Sequence, residues 1–101
     1  MGACGGASDS FSGTFTSPSY PNSYPYDENC VYTVSQISGK FIILTVEEFE
    51  IEDSGGCDWD FLEIRDGSSA DSRVIGKFCG TNIPKTLHTT QNKMWIRYDM
   101  I

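Results

Sequence analysis

The sequence predicts an all-β protein, a two-layer antiparallel β-sandwich. Three observations carry that prediction. No segment keeps a helical period over a window of about 11 residues. Short runs of β-branched and aromatic residues recur along the chain, as pleated, half-buried surfaces prefer. Clusters of Gly, Ser, Asn and Asp separate these runs and mark turns.

The elements follow in order. Residues 5–29 are rich in Gly, Ser, Pro and Tyr. Pro18, Pro21 and Pro25 exclude helix there and impose an extended, turn-rich chain, with Gly13–Thr16 as a strand inside it. Cys30–Ser35 is the next strand, and the Ser38-Gly39 turn leads to Phe41–Val46. Gly55-Gly56 marks a loop before Phe61–Arg65, which Asp66-Gly67-Ser68 closes. Val74–Phe78 runs into the Gly80-Thr81-Asn82 turn, followed by Thr86–Thr89 and Met94–Tyr98. Trp95 alternates with Met94 and Ile96, which makes it a structural position.

At 101 residues the chain is one domain, too small to bury more than a modest core. Cross-links would help it. Cys4, Cys30, Cys57 and Cys79 are separated by 26, 27 and 22 positions. Metal-binding cysteines usually come in close pairs, because neighbouring ligands must converge on one ion. No such pair occurs, and the lone His88 has no partner at ligand spacing. An even number of widely spaced cysteines implies disulfides and an oxidising, extracellular or cell-surface location. Spacing alone leaves all three pairings open.

No apolar run reaches the roughly 18 residues that a membrane span needs, so direct membrane insertion is not expected. Met1-Gly2-Ala3 reads as an expression start, which leaves residues 4–101 as the domain. The net charge of −7 excludes nucleic acid as a partner, since phosphates need a basic face. It suits cations or basic protein patches.

The stretch from Glu47 to Asp66 holds nine of the fourteen acidic residues, with Cys57 near its middle. Through Glu48-Phe49-Glu50-Ile51-Glu52 acid and apolar residues alternate, so an extended chain turns the glutamates to one side. Most of these acids read as a solvated face. Glu52 differs because it leads into the Gly55-Gly56-Cys57 loop, and Asp58 and Asp60 leave it. A disulfide at Cys57 would pin that loop. Carboxylates converging on a pinned loop suit a hard cation, since Ca²⁺ takes six to eight oxygens. The EF-hand template does not fit: counted from Asp58, its third carboxylate position falls on Leu62. Asp58 reads first as a loop carboxylate and second as a ligand. Trp59 reads as a cap on the loop or as a binding anchor. Tyr20, Tyr24 and Tyr26 read as cover for the sandwich edge or as part of the site.

Catalysis is not expected. Glu52 and Asp60 have the residue types of a glycosidase acid and base pair, but a chain this short has little room for a substrate cleft. No G-x-S-x-G elbow, H-E-x-x-H or P-loop occurs.

Several ordered motifs resemble the CUB domain, an extracellular β-sandwich module, of the cubilin or tolloid type. They are Cys4-Gly5-Gly6, the run Gly13-Thr14-Phe15-Thr16-Ser17-Pro18-Ser19-Tyr20-Pro21-Asn22-Ser23-Tyr24-Pro25, Cys30, Phe49-Glu50-Ile51-Glu52, Cys57 through Gly67, and Phe78-Cys79-Gly80. Together they span Cys4 to about Tyr98. The resemblance implies a CUB-like jelly roll with disulfides Cys4–Cys30 and Cys57–Cys79. It also implies Ca²⁺ held by Glu52, by Asp60 and by an acid near the chain end, with Tyr24 supporting Glu52. The family's terminal pattern is aromatic-x-Ser-Asp. Here Tyr98 is followed by Asp99-Met100-Ile101, so Asp99 stands near the third ligand's place but out of register. The family's last strand is then absent, and an incomplete sandwich edge would favour self-association. The implied function is a protein-interaction module whose Ca²⁺-organised acidic surface docks a Lys or Arg of an extracellular partner. The alternative is a structural spacer or self-association module without metal.

Overall fold

The computed structural model describes residues 5–9, 28–47, 57, 60–81 and 83–100. The strand expected at Gly13–Thr16 and the alternation at Glu48–Glu52 lie outside these residues, as do Cys4, Tyr24, Glu52, Asp58 and Trp59. The described elements are all strands: β1 Gly6–Ser8, β2 Glu28–Ser35, β3 Ile43–Thr45, β4 Phe61–Asp66, β5 Arg73–Phe78, β6 Thr86–His88 and β7 Lys93–Met100. They form a five-stranded sheet in the order β1-β2-β7-β4-β5 and a two-stranded sheet of β3 and β6.

One pairing departs from the antiparallel expectation. β1 runs parallel to β2, with Ala7 opposite Thr33, so the larger sheet is mixed. The Gly-rich opening had read as loop, yet its glycines are what admit the strand. Gly5 sits at φ 85°, and a Cβ there would stand 2.7 Å from the Val31 carbonyl oxygen. Only glycine lets the two backbones approach so closely.

The other strands match their expected positions with shifted ends. β3 and β6 are shorter than Phe41–Val46 and Thr86–Thr89, whereas β2 begins at Glu28 and β7 runs on through Met100. β7 is the centre of the larger sheet, paired antiparallel to β2 on one side and β4 on the other. The register sets Leu62 opposite Tyr98, Ile64 opposite Ile96, and Tyr32 opposite Ile96. Strand alternation sends all of these to one face, where they pack with Met94, Leu87 and Cys79 as the buried core. Leu44 and Ile42 close the core from the smaller sheet's side. A bulge between Ile64 and Arg65 breaks the β4–β5 register and turns Ile75 against the core.

Cys57 and Cys79 are disulfide-bonded with Cα atoms 5.4 Å apart, the pairing the family resemblance implies. Cys30 is disulfide-bonded as well. Among the described residues no helix is long and apolar enough to cross a membrane.

Candidate functional site

β4 carries the site. The Cys57–Cys79 bridge ties the loop before β4 to the residue that follows β5. Cys57 has φ 58°, the left-handed region that non-glycine residues seldom adopt, so the chain turns sharply at the pin. Three residues on, Asp60 is 2% exposed. A buried carboxylate beside a cross-linked turn is costly unless polar or cationic groups surround it.

Asp99 is placed differently. It is a ladder residue of β7, directly opposite Phe61 rather than Asp60. Directly opposed residues point to the same side of a sheet, so Asp99 shares the face of Phe61, away from the core. Its carboxylate there lies 3.9 Å from Arg97 Nη2. The resemblance had set Asp99 near the third ligand's place but out of register; pairing of β7 with β4 and β2 holds the residue in the sheet. Among the described residues no three His, Cys, Asp or Glu side chains converge as a metal would require.

The face on which Asp99 lies has a chemistry that sequence reading missed. Glu63 accepts a hydrogen bond from Arg65 Nη2 at 2.6 Å, and its other oxygen lies 3.3 Å from Arg97 Nε. Arg65 also donates from Nη1 to the Ser72 carbonyl at 2.7 Å. Its guanidinium stands 5.9 Å from the centre of the Trp95 ring. Phe61 lies beneath two cations, Lys77 Nζ at 4.3 Å and the Arg97 guanidinium at 5.2 Å. Glu63, Phe61 and Trp95 are all buried. The charged groups stand over the ring faces, where the aromatic quadrupole attracts them. The lattice is tight enough that Nε of both Arg65 and Arg97 is buried without a hydrogen-bond partner. Arg65 two positions after Glu63 was the available clue, since residues i and i+2 of a strand share a face. The contribution of Arg97 needs the β4–β7 register.

The far end of β4 holds a third buried acid. Asp66 accepts hydrogen bonds from the Thr90 hydroxyl at 2.6 Å and the Thr90 amide at 3.1 Å, while Gln91 Nε2 donates to the Asp66 carbonyl. The Thr90 hydroxyl bond holds the Asp66 carboxyl below its ordinary pKa, and burial opposes this in part. Six residue steps along an extended chain, on the order of 20 Å, separate it from Asp60. Asp66 therefore fastens the 89–92 turn and takes no part in the Asp60 site. In the core, burial and then the nearby Tyr32 push the Tyr98 hydroxyl up to about 12, so it stays protonated.

Donor chemistry is the available test of the implied metal. Asp60 offers hard oxygens at the pinned loop and fits a calcium ligand. Asp99 lies on the outer face of the sheet, beside Arg97.

Known proteins resemble this chain in sequence and in fold. The chain is 43% identical over 82 residues to the dorsal-ventral patterning protein tolloid of Drosophila melanogaster, a match that covers 81% of this chain and 8% of tolloid. It is 40% identical over 87 residues to human cubilin, covering 85% of this chain and 2% of cubilin. The chain thus spans only a small part of the curated relatives it matches. Among solved structures, the full extracellular region of zebrafish Gpr126/Adgrg6 superposes with a TM-score of 0.86 at 32% identity, covering 97% of this chain and 13% of that one. The crystal structure of the MASP-1 CUB2 domain bound to Ca²⁺ superposes with a TM-score of 0.81 at 32% identity, covering 97% of this chain and 87% of that one. The CUB domain family model matches residues 4–100, and with the sheets and the Cys57–Cys79 bridge in place the chain belongs to the CUB domain family.

Proposed function

We propose that the chain is a non-enzymatic, extracellular protein-interaction module whose acidic loop surface is organised by Ca²⁺ and docks a Lys or Arg of a partner protein. The observation that carries this reading is the buried Asp60 carboxylate beside the Cys57–Cys79 pin. The Ca²⁺-bound structure of a CUB relative supports the choice of ion. Disulfides, and a structural relative that is itself an extracellular region, support the location.

In this reading Glu52 and Asp60 hold the ion and Tyr24 supports Glu52, while Asp58 and Trp59 border the docking surface. Asp99 is left out of the ligand set because of its face. The ion supplies positive charge that lets the carboxylates stay close, and they keep enough negative charge to attract a cationic side chain. Extracellular calcium modules work at dissociation constants of about 10⁻⁴–10⁻³ M.

Titration calorimetry of Ca²⁺ into the protein and its Glu52→Ala, Asp60→Ala and Asp99→Asn variants tests the assignment. Heat is expected for the unchanged protein and for Asp99→Asn, and should be lost in the other two. Equal heats in all four would overturn it. A melting temperature indifferent to calcium would favour the spacer reading.

A further inference from the structure

We infer that the outer face of the five-stranded sheet is a second docking surface, for an acidic polypeptide that carries aliphatic side chains. Strand alternation and register place Arg65 of β4, Lys77 of β5, and Lys93 and Arg97 of β7 on this face, against two carboxylates, Glu63 and Asp99. Four of the chain's seven Lys and Arg side chains thus gather on one face of a protein whose net charge is −7. Everything outside that face is more acidic than the total suggests.

The cations are also held in place. Glu63 fixes Arg65 and Arg97, and Lys77 rests on Phe61. Among the described residues neither Lys77 nor Lys93 forms an ion pair with a carboxylate, and Lys77 is exposed.

The choice of partner rests on what accompanies the charge. Val31 on β2, opposite Arg97, is 36% exposed, and Val74 on β5, opposite Arg65, is 47% exposed. The two valines flank the cationic strip from either side. A sulfated polysaccharide would answer the cations and leave the valines in water. Phe61 and Trp95 are buried beneath their cations, so among the described residues the face offers no aromatic platform on which sugar rings could stack. A polypeptide that brings carboxylates to the centre and aliphatic groups to the flanks satisfies both features. This surface selects anions, opposite in sign to the proposed Asp60 site, and needs no calcium.

Fluorescence anisotropy with a labelled, capped Glu-Glu-Val-Glu-Ile-Glu peptide, in EDTA and low salt, tests the inference. Binding to the unchanged protein is expected. It should weaken about tenfold in a Lys77→Glu/Lys93→Glu variant and about threefold in a Val31→Ser/Val74→Ser variant, with melting temperatures near that of the unchanged protein. No binding, or unchanged affinity in the charge-reversed protein, would overturn it. So would a heparin oligosaccharide that binds this face while the peptide does not.

Discussion

The two faces of β4 both bury most of their side chains and are chemically opposite. On the inner face Ile64 is fully buried among Ile96, Met94 and Leu62. On the outer face Glu63 is 8% exposed, between two arginines. The inner face excludes water because apolar surface gains from leaving it. The outer face does so because Arg65, Arg97 and Lys77 stand over Phe61 and Trp95 while the two guanidiniums pair with Glu63. Burial on the inner side is robust to any apolar neighbour of the right size. Outside, it depends on charges that must stay matched.

The largest expected effect lies on the inner face. Ile64→Ala removes the centre of the core and should cost about 3 kcal/mol, within the usual span for such truncations; urea unfolding would show it as a lower midpoint. Glu63→Ala tests the other side. It leaves Arg65 without a carboxylate partner and Arg97 with only Asp99 at 3.9 Å, and should cost about 1–2 kcal/mol, a buried-pair penalty reduced by the partial exposure of both arginines. Adding Arg97→Met should recover part of that loss in a double-mutant cycle. If Glu63→Ala costs as much as Ile64→Ala, the outer lattice is the main scaffold and the contrast fails.

The smallest effect lies at the far end of β4 and depends on pH. The folded Asp66 pKa lies below its unfolded value near 3.8, so its contribution to stability is present above that value. It is lost as pH falls through the folded pKa. Asp66→Asn should therefore be less stable than the unchanged protein at neutral pH, and the two melting temperatures should converge in acid. A constant gap down to the most acidic pH at which both fold would show that the Thr90 bonds are not made by the ionised carboxyl.

The acidic stretch shows how far reading the sequence reached. Its carboxylates read mainly as a solvated face. Of the four that the structure describes, Glu47 is exposed, but Asp60, Glu63 and Asp66 are buried. For Glu63 and Asp66 that reading fails, and for a definite reason. Alternation within one strand says which residues share a side, not what crosses over from the next strand. Glu63 is buried because Arg97, 34 positions later in the chain, lies opposite it. Asp66 is buried because Thr90 bends back to it. The strand positions were legible because their signals, β-branched runs and turn residues, are local. β1 was not, because its glycines look like a loop until Val31 is known to lie against them.

By itself the sequence determined the all-β class, the oxidised cysteines, the family and the loop where Asp60 sits. Each follows from residues within a short window, or from motifs in fixed order. Only the tertiary structure decided which acids are paired, that Asp99 belongs to the outer face, and that cations gather there. Those outcomes depend on the register between strands distant in the chain, and a shift of one residue would send every side chain of β7 to the other face.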